Sequence, residues 1–246
     1  MGIDAGTSSQ LTWRADVLGD GYEQAVLPLL DDDEGPVVAT LVRRTSSGVP
    51  RRAVLYVHGF VDYFFQTALA DFWDAQGFDF YALDLRKSGR SLLPHQTPYF
   101  FHDVSDCYEE LDLAARLLRE ELGHPSLTVN AHSTGGLITA LWANDRKDVS
   151  ALAGLVLNSP FLDLNAAPAA RTVGADVLNV VGHLKPYAVL PLGLNDLYGR
   201  SISAQHEGEW VFDVAWKPVE GVPVRAGWLG AVHRGHRRIH RGVDVG

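Results

Sequence analysis

The sequence contains a single cysteine, Cys107, among its 246 residues, which excludes an internal disulfide and indicates a reducing compartment. It has no run of about 18 apolar residues, the length that predicts a membrane-spanning helix. Acidic residues outnumber basic ones and give a formal net charge of −9, which argues against a general nucleic-acid-binding protein. Residues 1–6 lack the basic and apolar regions of a signal peptide. We therefore expect a cytoplasmic protein that is not integral to a membrane and binds no nucleic acid.

Three segments near the N-terminus predict antiparallel strands. Residues 11–18, 22–30 and 37–45 alternate or run apolar, and turn-forming sequence separates them. The second turn carries the acidic run Asp-Asp-Asp-Glu at 31–34. We interpret this run as a solvated hairpin turn rather than a metal site.

After residue 50 the pattern changes to strands that alternate with helices. Apolar runs predict strands at 53–57, 78–83, 127–130 and 152–158, and helical character predicts helices at 64–76, 103–122, 136–143 and 223–241. Continuous apolar runs indicate strands that are covered on both faces. The sequence therefore predicts an α/β fold with a mostly parallel, doubly covered sheet and antiparallel strands at its N-terminal side.

Residues 163–222 break this alternation, because prolines interrupt them and their apolar residues follow no clean period. We expect an insertion that lies over the edge of the sheet. The predicted organisation is a core at 1–162, a cap or lid insertion at 163–222, and a helix within 223–246 that leads back towards the C-terminal part of the core.

A serine lies at a sharp strand-to-helix junction, in the stretch A-H-S-T-G at 131–135. A nucleophilic serine needs exposure, a base and donors for the oxyanion. A tight turn supplies the exposure and one donor, and it requires small residues two positions to either side, as in the pattern G-x-S-x-G. Alanine replaces the first glycine here. The alternative is an ordinary serine at a helix N-cap.

A second element favours the nucleophile over the N-cap. His58-Gly59-Phe60 follows the predicted strand 53–57, and the loop after that strand supplies the other oxyanion donor in proteins with this serine pattern. The sequence therefore predicts Ser133 as the nucleophile, with the backbone amides of Phe60 and Thr134 as oxyanion donors.

Four stretches together resemble the α/β-hydrolase superfamily and, within it, the branch that contains serine aminopeptidase S33 and monoacylglycerol lipase-like or lysophospholipase-like proteins. They are V-H-G-F at 57–60, Y-A-L-D-L-R-K-S-G-R-S at 81–91, A-H-S-T-G-G at 131–136 and L-N-S-P-F at 157–161. The resemblance covers roughly residues 20–246. It implies that Ser133 attacks an ester or amide carbonyl and forms an acyl-enzyme, which water then releases.

The resemblance also implies roles for residues around the serine. His58, Gly59 and His132 are expected to support the loop and the turn rather than to transfer protons. The second stretch matches the family pattern D-x-R-G-x-G-x-S with Lys87 in place of a glycine, and its Asp84, Arg86 and Ser91 are expected to tie down a loop.

The implied ligand is a small ester with an apolar acyl group, and no cofactor or metal is implied. Residues 163–222 occupy the position of the family's cap. Their apolar residues, Trp210 and Trp216 among them, either line an acyl-binding channel or simply pack the cap onto the sheet.

The family places an acid and then a histidine after the serine, each behind a later strand. We find no further strand pattern after residue 222, so we expect a C-terminally shortened member in which the usual acid and histidine positions are absent. Asp163 follows a strand end and is a weak candidate for the acid. His233, His236 and His240 share one helix face and could bind a metal, but interleaved arginines favour a solvated basic helix.

The sequence thus predicts a serine hydrolase of the carboxylesterase or monoacylglycerol lipase and lysophospholipase type. Two alternatives stay open. One is a catalytically impaired protein of the same fold that binds a ligand or a partner, and the other is aminopeptidase chemistry on the same scaffold.

Overall fold

The structure, a computed structural model, describes residues 11–147, 152–164, 181–191 and 196–244. Seven strands form one sheet: β1 (Arg14–Ala15), β2 (Tyr22–Pro28), β3 (Val38–Arg44), β4 (Arg52–Val57), β5 (Phe78–Asp84), β6 (Leu127–His132) and β7 (Gly154–Asn158). The longer helices in the described ranges are α1 (Thr67–Ala75), α2 (Tyr108–Arg116), α3 (Thr134–Asp145), α4 (Leu197–Ile202) and α5 (Ala226–Ile239).

The sheet confirms the predicted fold class. Its strand order is β1-β2-β3-β5-β4-β6-β7; β1, β2 and β3 pair antiparallel, and β5, β4, β6 and β7 run parallel. The predicted strand 53–57 lies in the centre, and its residues are at most 5% exposed. Val57, at the end of β4, lies opposite Leu83 of β5 and Ala131 of β6. The loops that follow these strands therefore meet at one edge of the sheet, where open α/β sheets bind their ligands.

The predicted helix 103–122 is present as three consecutive helical pieces. A 3₁₀ turn at Val104–Cys107 precedes α2, and a π-helical turn at Leu117–Glu121 follows it. Asp103 caps the N-terminus, since its carboxylate accepts from the Ser105 amide at 3.1 Å. Such a cap satisfies amide groups that have no partner inside the helix.

Polar groups tie down the loop after β5, as the sequence predicts for Asp84 and Ser91. The fully buried Asp84 carboxylate accepts from the Phe64 amide at 2.8 Å and pairs with Arg90 at 2.8 Å. The Ser91 hydroxyl donates to the Asp84 carbonyl at 2.7 Å. Arg90 also pairs with the buried carboxylate of Asp16 at 2.6 Å. These contacts join the loop to the N-terminal strands.

The contacts of Lys87 show that the predicted turn at 31–34 is not simply solvated. Residues 32–35 do form a tight turn, but Asp32 and Glu34 pair with the Lys87 ammonium at 2.6 and 2.5 Å. Lys87 is only 1% exposed and adopts a positive φ of 57°, a conformation that favours glycine. Two carboxylates neutralise this buried cation, as a buried charge requires.

The prediction of a solvated helix within 223–241 is wrong for one face of α5, which is buried. Gly235 packs against Leu137 of α3, and His236 is 2% exposed. His240 is exposed, so only one side of the helix faces solvent. No helix in the described ranges is long and apolar enough to cross a bilayer.

The division into core and cap stays a prediction, because residues 165–180 and 192–195 lie outside the described residues. Within the described part of 163–222, the segment around Trp216 packs onto the core. The Trp216 ring meets the Tyr63 ring edge-on at 5.3 Å, and the Tyr99 hydroxyl donates to the Trp216 carbonyl.

Candidate active site

Ser133 lies on the sharp bend between β6 and α3, where the sequence predicts it. Its backbone has φ 52° and ψ −120°, a conformation that non-glycine residues adopt only when their surroundings enforce it. Its amide donates to the Asn158 carbonyl at 3.2 Å, and its carbonyl accepts from the amides of Gly136 and Phe161, both at 2.9 Å. The strand before the serine, the helix after it and the loop after β7 therefore fix the bend together.

Small residues surround the bend because the backbone of the β4 loop approaches it closely. A Cβ at Gly135 would lie 2.3 Å from the His58 carbonyl oxygen, and one at Gly59 would lie 3.0 Å from the Ser133 Cβ. A Cβ at Gly136 would lie 2.7 Å from the Cβ of Pro160. These contacts explain why the G-x-S-x-G pattern requires glycine at 135.

His58 holds the loop after β4. Its Nε2 accepts a hydrogen bond from the Leu85 amide at 3.0 Å, and its Nδ1 lies 2.7 Å from the Gly59 carbonyl oxygen. Because an amide N–H can only donate, Nε2 is unprotonated and Nδ1 carries the proton. The buried ring therefore joins the ends of β4 and β5, and both of its nitrogens are occupied.

The amides of Phe60 and Thr134 lie beside the bend. Thr134 is the first residue of α3, a position whose N–H has no partner within the helix. Neither amide donates a hydrogen bond to another described residue. The Phe60 ring stacks on the Trp228 ring of α5, with centroids 3.8 Å apart.

Ser133, Phe60 and Thr134 line one cavity of about 500 Å³. Its other walls are mainly apolar and come from the loop after β7, α4, α5 and the segment between these helices: Phe161, Leu164, Tyr198, Pro218, Val219, Val224, Trp228 and Leu229. Neither Trp210 nor Trp216 is among the residues that line this cavity. The packing alternative therefore holds for Trp216.

Asp62, His132, Tyr198 and Lys217 are the ionisable side chains in the described part of the cavity wall. The Lys217 ammonium lies 2.9 Å from Asp62 Oδ1, and His132 Nδ1 lies 3.9 Å from Asp62 Oδ2. Burial lowers the pKa of His132, against the opposing attraction of Asp62. Sequence reasoning missed Asp62 and Lys217: Asp62 is two residues from Phe60 and could have been suspected, whereas nothing local distinguishes Lys217.

The candidates for acid and metal ligand lie outside this cavity. Asp163 is exposed and does not line the wall with Ser133. His236 Nε2 donates to the Phe161 carbonyl at 2.8 Å, and burial lowers the pKa of this histidine. Within the described ranges no three metal-ligating side chains group together, and no side chain there forms a hydrogen bond with the Ser133 hydroxyl.

Comparisons with known proteins bear on the family and the fold of the chain. Residues 48–240 match the family described as serine aminopeptidase, S33. A search of curated proteins returned no match.

Among solved structures, a soluble variant of monoglyceride lipase from Saccharomyces cerevisiae is similar, with 17% identity, coverage of 96% of this chain and 70% of that chain, and a TM-score of 0.58. Monoacylglycerol lipase from Paleococcus ferrophilus has 22% identity, 79% and 69% coverage and a TM-score of 0.57. A thermostable carboxyl esterase from Bacillus coagulans has 16% identity, 88% and 73% coverage and a TM-score of 0.62. At these identities the likeness establishes a shared fold.

Proposed function

Because this chain belongs to the serine aminopeptidase S33 family and has the α/β-hydrolase fold, we propose that it is a serine hydrolase that cleaves carboxylic esters through an acyl-enzyme on Ser133. The observation that carries the proposal is the strained bend at Ser133, which lines one cavity together with Phe60 and Thr134. An N-cap serine needs no such backbone, since N-cap residues usually have extended dihedral angles.

The proposed mechanism begins with attack of the Ser133 hydroxyl on the ester carbonyl carbon. The carbonyl oxygen becomes an oxyanion, and the amides of Phe60 and Thr134 donate to it. Such donors act where charge develops, and removal of one typically costs about 10²–10³-fold in rate. The ester C–O bond then breaks, and the leaving oxygen takes up the proton that Ser133 gave up and departs as the alcohol. Water attacks the acyl-enzyme carbonyl, the bond to Ser133 breaks, and one proton of the water returns to the serine oxygen as the carboxylic acid is released. His58 and Gly59 hold the donor loop in this scheme, and His132 supports the turn.

The walls of the cavity favour an ester with an apolar acyl group. Phe161, Leu164, Val219 and Leu229 offer apolar surface beside Ser133, and burial of an acyl chain there contributes about 0.8 kcal/mol per CH₂ group. We therefore expect kcat/KM to rise with acyl length until the cavity of about 500 Å³ is filled.

Asp163 is exposed and lies outside the cavity wall, so as the proposed acid it would have to act from beside the site. It lies two residues after Phe161, whose amide contacts the Ser133 carbonyl, and its charge acts on His236. Asp163→Asn tests the assignment, because removal of the acid should lower the rate at which a fluorophosphonate labels Ser133. An unchanged rate in this variant removes Asp163 from the mechanism.

A fluorophosphonate probe tests the proposal directly, because it phosphonylates an activated serine with loss of fluoride. We expect labelling at Ser133, found by peptide mass spectrometry, and no labelling in Ser133→Ala. p-Nitrophenyl esters of increasing acyl length then test the substrate class. Proline p-nitroanilide tests aminopeptidase chemistry, and its hydrolysis in preference to the esters would overturn the ester assignment.

A second candidate function is ligand binding without catalysis. The observation that favours it is that, in the part of the chain that the structure describes, no side chain bonds to the Ser133 hydroxyl. Saturable quenching of tryptophan fluorescence by a fatty acid would support this function if the fluorophosphonate leaves Ser133 unlabelled, because Trp228 lies in the cavity wall.

A further inference from the structure

We propose that Lys217 is a positioning residue that holds the loop at 59–62 in the shape that places Phe60, the proposed oxyanion donor, in the cavity wall. The expected effect on rate rests on the proposed function, but the contacts by which Lys217 restrains the loop do not. Lys217 belongs to the segment between α4 and α5, and it lies 155 residues from its partner in the loop. Nothing in the local sequence around it indicates such a role.

The Lys217 ammonium forms two hydrogen bonds to consecutive residues of the loop. It donates to the Val61 carbonyl at 3.1 Å and to the Asp62 carboxylate at 2.9 Å. Lys217 and Asp62 are 4% and 3% exposed. Buried hydrogen bonds to charged groups are shorter and stronger than neutral ones, so this pair fixes the loop at the two residues that follow Phe60.

The loop needs such a restraint because Val61 is strained. Its φ is 49°, and a β-branched residue rarely adopts a positive φ. Strain of this kind persists only where the surrounding contacts over-determine the backbone. Without the bond to its carbonyl, Val61 would relax towards a negative φ. That rotation would turn the Phe60–Val61 and Val61–Asp62 peptide units, and the Phe60 N–H, which belongs to the preceding unit, would shift with them.

Lys217 itself is held in place, as a restraint must be. Its amide donates to the Asp213 carbonyl at 2.9 Å, and the Asp213 amide donates to the Tyr63 hydroxyl at 2.7 Å. The ammonium lies 5.5 Å from the ring centroid of Tyr198 and 5.9 Å from that of Phe65, within the range of cation–π attraction. The ion pair with Asp62 leaves no net charge for a substrate, which favours a positioning role over recognition of an anion.

The test uses the full chain and the inactivation kinetics of a fluorophosphonate, which separate binding from bond formation. Lys217→Met removes both hydrogen bonds and keeps the length of the side chain, and Lys217→Arg keeps the charge and the donors. Lys185→Met is the matched control, because Lys185 is exposed. A displaced oxyanion donor costs about 10–100-fold, so we expect Lys217→Met to lower the rate of phosphonylation by this factor without a change in probe affinity.

The arginine variant and the strain at Val61 make the test specific. Lys217→Arg should recover the rate to within about threefold of the parent, since it restores charge-assisted donors. In a Val61→Gly background, the loss caused by Lys217→Met should shrink, because glycine tolerates a positive φ at no steric cost. An equal loss in both backgrounds, or a loss of probe affinity alone, would overturn the proposal.

Hydrogen–deuterium exchange distinguishes failure of this proposal from failure of the proposed function. We expect peptides that cover 58–65 to exchange faster in Lys217→Met, and peptides of α2 to stay unchanged. If the parent chain is not labelled at Ser133, the proposed function fails while faster exchange still supports the restraint. Unchanged exchange in 58–65 overturns the restraint, whether or not Ser133 reacts.

Discussion

The strain at Ser133 predicts an unusual order of stability among its variants. We expect Ser133→Gly to be more stable than Ser133→Ala, the reverse of the order at ordinary positions. Alanine keeps a Cβ at φ 52° and ψ −120° and therefore keeps the strain. Glycine adopts this conformation without a clash.

The size of the effect follows from two opposing terms. A non-glycine residue in a sparsely populated φ/ψ region costs about 1–3 kcal/mol, and substitution by glycine removes this cost. Glycine also loses more chain entropy on folding, which costs about 0.5–1 kcal/mol relative to alanine. We expect a net advantage of about 1 kcal/mol for glycine, or about 2–4 °C in melting temperature for a chain of this size. The hydroxyl contributes little, because no described side chain bonds to it.

Urea and thermal unfolding of the parent and both variants measure this difference. Ser201 provides the control, since it is exposed in α4 and has no positive φ, so alanine should there be more stable than glycine by about 0.5–1 kcal/mol. The same order at both positions would refute the reasoning about strain. Both Ser133 variants should lose fluorophosphonate labelling, which separates stability from reactivity.

Three further predictions follow from the packing around the site. Gly135→Ala should abolish labelling and lower stability by about 1–3 kcal/mol, because its Cβ would lie 2.3 Å from the His58 carbonyl oxygen; parent-like labelling would contradict this. Arg90→Met should lower the free energy of unfolding in urea by about 3–5 kcal/mol, because it leaves two buried carboxylates unpaired. His236 has a pKa below its usual 6.5, so the unfolded chain binds the proton more readily and stability falls as the pH drops below 6.5. His236→Gln should flatten that dependence, measured as unfolding free energy between about pH 7 and pH 5.

The central strands and the serine bend could be predicted from the sequence because their signals are local. The apolar run at 53–57 must be covered on both faces wherever it lies, and β4 is indeed buried at the centre of the sheet. The bend at Ser133 needs small neighbours within two or three residues, which the stretch 131–136 supplies. Each pattern reflects a steric or solvation requirement of its own segment, so it can be recognised without knowledge of distant residues.

The ionic contacts could not be predicted, because their partners are far apart in the chain. Lys87 looked like a departure from a glycine, yet it pairs with Glu34, 53 residues earlier. Lys217 finds Asp62 across 155 residues. His236 shares its helix with arginines, which indicates solvent exposure, but packing against α3 turns this residue inward. The spacing of apolar residues shows which face of a helix or strand is apolar, but it does not show which residues pack against that face.

The hydrogen bonds that close the bend also have a consequence for folding kinetics. Ser133 is fixed by Asn158 and Phe161, and Phe161 is fixed in turn by His236, 75 residues further along. Closing such long loops costs entropy before any contact is gained, so non-local geometry forms late. After dilution from denaturant, helical circular dichroism should therefore return before fluorophosphonate labelling of Ser133, the proposed nucleophile. The interval between the two signals would time the docking of α5.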